Sequence, residues 1–136
     1  MSFNHHATRR NYRPRILSAF TRFKASLLHT ALILFSALSF LGYGSACFCS
    51  SYIKQEFFRY GLGSQRVLVG TLQWFAGIGL LGGISQPWMG QLASGGLALM
   101  MLVAVGVRIQ IHDTALRTLP AVVYLVLNAY LCLVVF

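Results

Sequence analysis

Four long apolar stretches separated by three short polar breaks set the pattern of this chain. Ala25 to Ile53 contains no Asp, Glu, Lys or Arg, about 29 residues where a helix needs about 20 to cross a hydrocarbon core. Ser51 to Arg66 is the first break. There Lys54, Glu56, Arg59 and Arg66 mix with Tyr52, Phe57, Phe58 and Tyr60, a blend suited to a membrane interface. Tyr60-Gly61-Leu62-Gly63 then predicts a turn, because glycine accepts positive φ without steric cost. Val67 to Val107 is again free of formal charge and, at about 41 residues, holds two crossings. Ile84-Ser85-Gln86-Pro87-Trp88 divides it, since a proline disfavours helix at the residue before it and Trp88 suits the headgroup level. Arg108, His112, Asp113 and Arg117 form the last polar loop, and Asp113 and Arg117 are spaced to pair if helical. Thr118 to Phe136 is the fourth stretch.

The pattern predicts an all-α integral membrane four-helix bundle preceded by a short basic N-terminal segment. Residues 1–24 form that segment, and residues 25–136 hold helices at about 27–49, 66–84, 88–107 and 118–136. Within the basic segment Ile16, Leu17, Phe20 and Phe23 recur at helical spacing, which suggests a short amphipathic helix at the membrane surface. A disordered tail is the alternative.

Charge changes the picture in one respect. The net charge of +9 would suggest nucleic acid in a soluble protein. Here Arg9, Arg10, Arg13, Arg15, Arg22 and Lys24 all precede the first apolar run, the usual mark of a cytoplasmic flank near anionic lipid. The partner implied is the lipid bilayer, not nucleic acid. With four crossings both termini share a side. The basic cluster on the first helix favours the cytoplasm for both, against Lys54, Arg59, Arg66, Arg108 and Arg117 opposite.

Several stretches resemble the DoxX-like family of small membrane proteins. They are Phe58-Arg59-Tyr60-Gly61-Leu62, Arg66-Val67-Leu68-Val69-Gly70 and Gly77-Ile78-Gly79-Leu80-Leu81, then Leu92 to Val105, and Leu119-Pro120-Ala121-Val122 at the opening of the fourth helix. The likeness runs from about Leu32 to the C-terminus. It rests on the order and spacing of glycines and aliphatics rather than on any one motif. The resemblance implies a compact four-helix membrane bundle, some members being tied to quinone-linked redox systems and others to assembly roles. Members often carry proline where Gly63 or Ser64 stands, and an acidic residue near the position of Gln73 or Trp74. The setting it implies is the bacterial cytoplasmic (inner) membrane.

Polar residues within the apolar helices are the candidate chemistry, because such groups face a bundle interior rather than lipid. At the seven-residue repeat they fall into stripes: His29, Ser36, Tyr43 and Ser50; Arg66, Gly70, Gln73 and Gly77; Ser94, Met101 and Arg108; and Ala121, Tyr124, Asn128 and Cys132. Tyr43, Gln73, Tyr124 and Asn128 are predicted to meet in an interior seam, holding either interhelical hydrogen bonds alone or a quinone-like or lipid ligand. Glu56, Arg66, Arg108 and Asp113 are predicted to gather at one interface as a charge cluster. Gly79-x-x-x-Gly83 reads as close helix packing within the subunit, with a dimer contact as the alternative.

The remaining motifs point away from catalysis. Cys47-Phe48-Cys49 lacks the spacing of a Cys-x-x-Cys dithiol, and Cys132 lies toward the other membrane face. The histidines have no companions at ligand spacing, so no metal centre is expected. Two acids in the whole chain leave little for acid–base chemistry, so no catalytic residue is assigned and an enzyme is the less favoured reading. The composition fits best a non-catalytic subunit or assembly factor of a larger membrane complex, whose partners are other membrane protein subunits. A quinone-linked redox component is the alternative, and a small transporter ranks third, since no intramembrane acid marks a pathway.

Overall fold

Nothing in the sequence stops the first helix early. Between Arg15 and Leu41 there is no glycine or proline, and Pro14 falls in the first turn, where its missing N–H costs nothing. The computed structural model describes residues 12–136 and runs α1 unbroken from Tyr12 to Cys49. At 38 residues it is about 57 Å long. This corrects the expected start near Leu27: the amphipathic stretch is the same helix as the first apolar run. Arg9 and Arg10 lie outside the described residues.

Ser50 ends α1. Its extended backbone breaks the helix, and its hydroxyl accepts from the Ile53 N–H at 3.4 Å, capping α2 (Ser51–Arg59). The first polar break is therefore mostly helical, because α2 has an apolar face to bury: Ile53 and Phe57 pack with Cys47. Gly61, at φ +71°, closes α2; its N–H bonds the Phe58 carbonyl and the Leu62 N–H bonds the Phe57 carbonyl. A 3-10 turn, Gly63–Gln65, leads into α3 (Arg66–Gly82). Pro87 occupies the first turn of α4 (Pro87–Gln110), and α4 ends in the same closing motif as α2. Here His112 takes the left-handed position at φ 55° while the Asp113 N–H bonds the Arg108 carbonyl at 2.9 Å. The final helix, α5 (Ala115–Tyr130), continues as a π-helical turn over Leu131–Val135. Pro120 sits inside α5 rather than opening it, which removes one backbone bond from the helix.

All regular structure among the described residues is helical. Three helices are long and apolar enough to cross a membrane, those over Pro14–Cys49, Pro87–Gln110 and Ala115–Val135. With 17 residues, α3 spans about 26 Å. Helix α1 packs chiefly on α3, α3 on α4 and α4 on α5, with a lighter contact returning from α5 to α1. Ile33, Ala37 and Phe40 of α1 meet Leu80, Leu97 and Leu131 in the core these helices share.

Close approach replaces hydrophobic drive where lipid is the solvent. A Cβ built on Gly44 would lie 3.0 Å from the Gly70 carbonyl oxygen, and one on Gly70 would lie 3.1 Å from that of Gly44. The α1 and α3 backbones touch there. Gly79 faces Ala93, and Gly83 meets Gly90 and Phe136, so both glycines of the Gly79-x-x-x-Gly83 pattern pack within this chain.

Candidate functional site

The seam predicted from the stripes divides in two. Gln73 and Asn128 are both buried, at 1% and 0% exposure. They do not share a bond. Asn128 Oδ1 accepts from the Ser36 hydroxyl at 3.0 Å, and its Nδ2 donates to the Tyr124 carbonyl at 2.9 Å, so the amide ties α5 to α1. Gln73 Oε1, by contrast, is buried without a hydrogen-bond partner.

Tyr43, Gln73 and Tyr124 line one cavity of about 280 Å³, which α1, the α2 end and its turn, α3, α4 and α5 all help to enclose. Asn128 lies outside its lining. Helix geometry places these groups: Tyr43 is one heptad after Ser36, and Tyr124 is one turn before Asn128, so α1 and α5 each carry a polar anchor and a cavity-lining tyrosine on one face. Tyr124 is held by ring contacts, stacked on Phe35 at 6.0 Å and edge-on to Phe40 at 5.3 Å. The cavity's other polar groups come from Ser39, Tyr60, Gln65 and Arg108. Its lining offers hydrogen bonds and a guanidinium, and no carboxylate.

The charge cluster forms with a change of membership. Arg59 Nη2 bridges Glu56 Oε2 at 2.7 Å and Asp113 Oδ2 at 3.2 Å, while Arg108 reaches Asp113 at 3.5 Å. Arg108 also donates to the Arg117 carbonyl at 2.6 Å. The Tyr60 hydroxyl donates to Glu56 at 2.8 Å, and the Arg59 and Arg108 guanidinium groups lie 5.1 and 5.4 Å from the Tyr60 ring. Both acids are thereby kept ionised: the Arg59 hydrogen bond holds the Glu56 and Asp113 carboxyls below their usual range. Burial, aided by the Glu56 hydrogen bond, raises the Tyr60 phenol.

Arg66 is not a member. It donates to the Cys47 carbonyl and, at 3.4 Å, to that of Phe48, covering the C-terminal end of α1. The reason is distance along the fold: α3 begins beside the last turn of α1, whose unpaired carbonyls attract a cation. Asp113 does not pair with Arg117 either, because it precedes α5 and turns to Arg59 and Arg108. The Glu56-x-x-Arg59 spacing was the available signal for Arg59. Nothing in the sequence pointed to Gln65 or to Tyr60 as cavity residues.

Residues 28–131 match the model of the DoxX-like family. The chain belongs to the DoxX-like family. The match takes in every residue that lines the cavity and every member of the charge cluster of this DoxX-like protein. No curated protein and no solved structure matches the chain.

Elsewhere, this DoxX-like protein has three free cysteines, Cys47 buried beneath α2 and Cys49 exposed. His29 Nε2 lies 3.2 Å from the Tyr130 hydroxyl. Among the described residues no three His, Cys, Asp or Glu side chains gather as a metal site.

Proposed function

We propose that this DoxX-like membrane protein is a non-catalytic subunit, or an assembly and stabilising factor, of a larger membrane complex. In this reading α1, α3, α4 and α5 cross the bacterial cytoplasmic membrane as a four-helix bundle with both termini in the cytoplasm. The partners are other membrane protein subunits. One observation carries it. Every residue from Pro14 to Leu28 is exposed, although α1 is continuous through them. The 22 residues from Leu28 to Cys49 already fill a hydrocarbon core, so the preceding turns extend the helix about 20 Å beyond it. That arm carries Ile16, Phe20, Phe23 and Leu27 along one stripe, each more than half exposed. Arg15, Arg22 and Lys24 accompany it, and no acid occurs before Glu56. An apolar stripe flanked only by bases suits an acid-rimmed helical groove on a neighbouring subunit.

Mild-detergent purification from native membranes tests this. A larger partner at constant stoichiometry is expected, and Phe20→Ser with Phe23→Ser should release it while leaving the thermal stability of the isolated protein unchanged. Recovery of the protein alone, or of the double variant with its partner intact, would remove the reading. A second reading, a component of a quinone-linked redox system, is favoured by the cavity, with Tyr43, Gln73, Tyr124 and Arg108 in its lining and Asn128 anchoring α5 beside it. Quinone-dependent change in thermal stability checks it; no change across quinones of different ring type excludes it.

A further inference from the structure

Of the segments that close the cavity, one is attached differently from the rest. The walls come from α1, α3, α4 and α5, each packed along its length on a neighbour. At the end marked by Gln65 and Arg108 the cavity is closed by Phe57, in the last turn of α2, and by Tyr60, which caps that helix. Helix α2 packs on the end of α1 and on the 3-10 turn that follows it. Among the described residues it makes no comparable contact with α3, α4 or α5. It also has a pivot at each end. Ser50 is extended, at φ −86° and ψ 122°, and Gly61 is left-handed, at φ +71°. Neither lies inside a helix, so rotation about these two residues moves α2 as a unit and leaves the backbone ladders of α1 and α3 intact.

The contacts that hold α2 down are few. Ile53 and Phe57 rest on Cys47. Beyond them, the Arg59 guanidinium makes a two-point bond to Asp113, Nη1 to Oδ1 at 3.4 Å and Nη2 to Oδ2 at 3.2 Å. The Tyr60 ring lies 5.4 Å from the Arg108 guanidinium. Asp113 precedes α5 and Arg108 lies in the last turn of α4, so these contacts fasten α2 across the cavity mouth. The Arg59 side chain is partly exposed, and an ion pair that water can reach breaks at small cost.

We propose that α2 is a hinged lid that separates the cavity from the aqueous phase on its side of the membrane, with the Arg59–Asp113 pair as its latch. The lid swings about Ser50 and Gly61 and lifts Phe57 off both the cavity and Cys47. It operates whether or not the α1 arm holds a partner, and it sets an entry route rather than the identity of a guest.

Cys47 is a built-in reporter, because it is buried beneath Ile53 and Phe57, and Phe57 also roofs the cavity. The test uses the full chain in lipid nanodiscs with Cys49→Ser and Cys132→Ser, which leaves Cys47 as the one thiol, and follows its reaction with a membrane-impermeant maleimide. Slow labelling is expected, and Arg59→Gln should speed it about fivefold, the worth of one net hydrogen bond at a partly exposed charge. Asp113→Asn should act in the same direction. The two together should fall well short of the product of the separate increases, since they break one shared contact. A second chain, with Cys47→Ala, Cys49→Ser, Cys132→Ser and Ala104→Cys, moves the thiol to the cavity wall, and Arg59→Gln should speed its labelling by the same factor. Mixed micelles separate lid opening from general unfolding: Cys47 labelling should stay flat as denaturing detergent rises toward the unfolding transition. Labelling that climbs with the detergent, increases that multiply, or Ala104→Cys labelling that ignores Arg59→Gln overturns the proposal. So does a Cys47 thiol that never reacts short of unfolding.

Discussion

The two buried amides predict opposite responses to removal. Gln73 is 1% exposed and its Oε1 accepts from no group of the protein, so folding strips water from that oxygen without an internal replacement. An unsatisfied buried acceptor of this kind costs about 1–3 kcal/mol. Methionine matches the side-chain length and brings no polar atom, and volume-conserving apolar swaps cost under about 1.5 kcal/mol. Gln73→Met is therefore expected to raise unfolding stability by about 1 kcal/mol. Asn128 is 0% exposed but accepts from Ser36 and donates to the Tyr124 carbonyl. Asn128→Leu breaks both bonds and leaves the Ser36 hydroxyl, itself 0% exposed, without its acceptor. Interhelical hydrogen bonds in membrane proteins average about 0.6 kcal/mol and reach about 1.7 kcal/mol. With the orphaned hydroxyl added, a loss of about 1–2 kcal/mol is expected. Equilibrium unfolding in mixed micelles of mild and denaturing detergent, followed by circular dichroism, measures both. The decisive quantity is the sign difference. Loss of stability in Gln73→Met comparable to that in Asn128→Leu would show that Gln73 is satisfied within the fold and refute the reasoning.

Three further outcomes follow from the packing and the charge cluster. The folded-state pKa values of Glu56 and Asp113 lie below their unfolded values of about 4.3 and 3.9, so the stability they contribute is full above about pH 5. It is lost as pH falls through the folded values, and the pH profile of unfolding in Glu56→Gln with Asp113→Asn should be flatter over that acid range. Gly44→Val forces side-chain carbons against the Gly70 carbonyl and the Trp74 ring, with an expected cost of about 2–3 kcal/mol in the same unfolding assay. Arg66→Ala uncovers the Cys47 and Phe48 carbonyls at the end of α1 and should cost about 1 kcal/mol. Amide exchange should rise at Ser50, whose N–H bonds the Ala46 carbonyl.

The sequence by itself determined that the chain is helical and belongs in a membrane. Uncharged runs and proline or glycine punctuation do this through local physics: backbone groups in lipid must bond within their own helix, so length and apolarity suffice to read a span. Pro87 at the start of α4 and Gly61 at the end of α2 were legible for the same reason, since each acts on its own backbone. The arm was the instructive exception. Polarity suggested a boundary near Ala25, but no residue there breaks a helix, and α1 runs through. Tertiary structure decided the rest. Periodicity placed Gln73 and Asn128 inward. It carried no information on which amide finds a partner, because Ser36 stands 92 positions from Asn128 and meets it only once α1 and α5 pack. Arg59 displaced Arg66 in the charge cluster on similar grounds: α3 starts beside the end of α1, whose carbonyls claim the nearer guanidinium. Helix periodicity tells a side chain which way to face. Which group it meets depends on how antiparallel helices align, and that alignment is set by contacts such as Gly44 on Gly70, where two backbones touch.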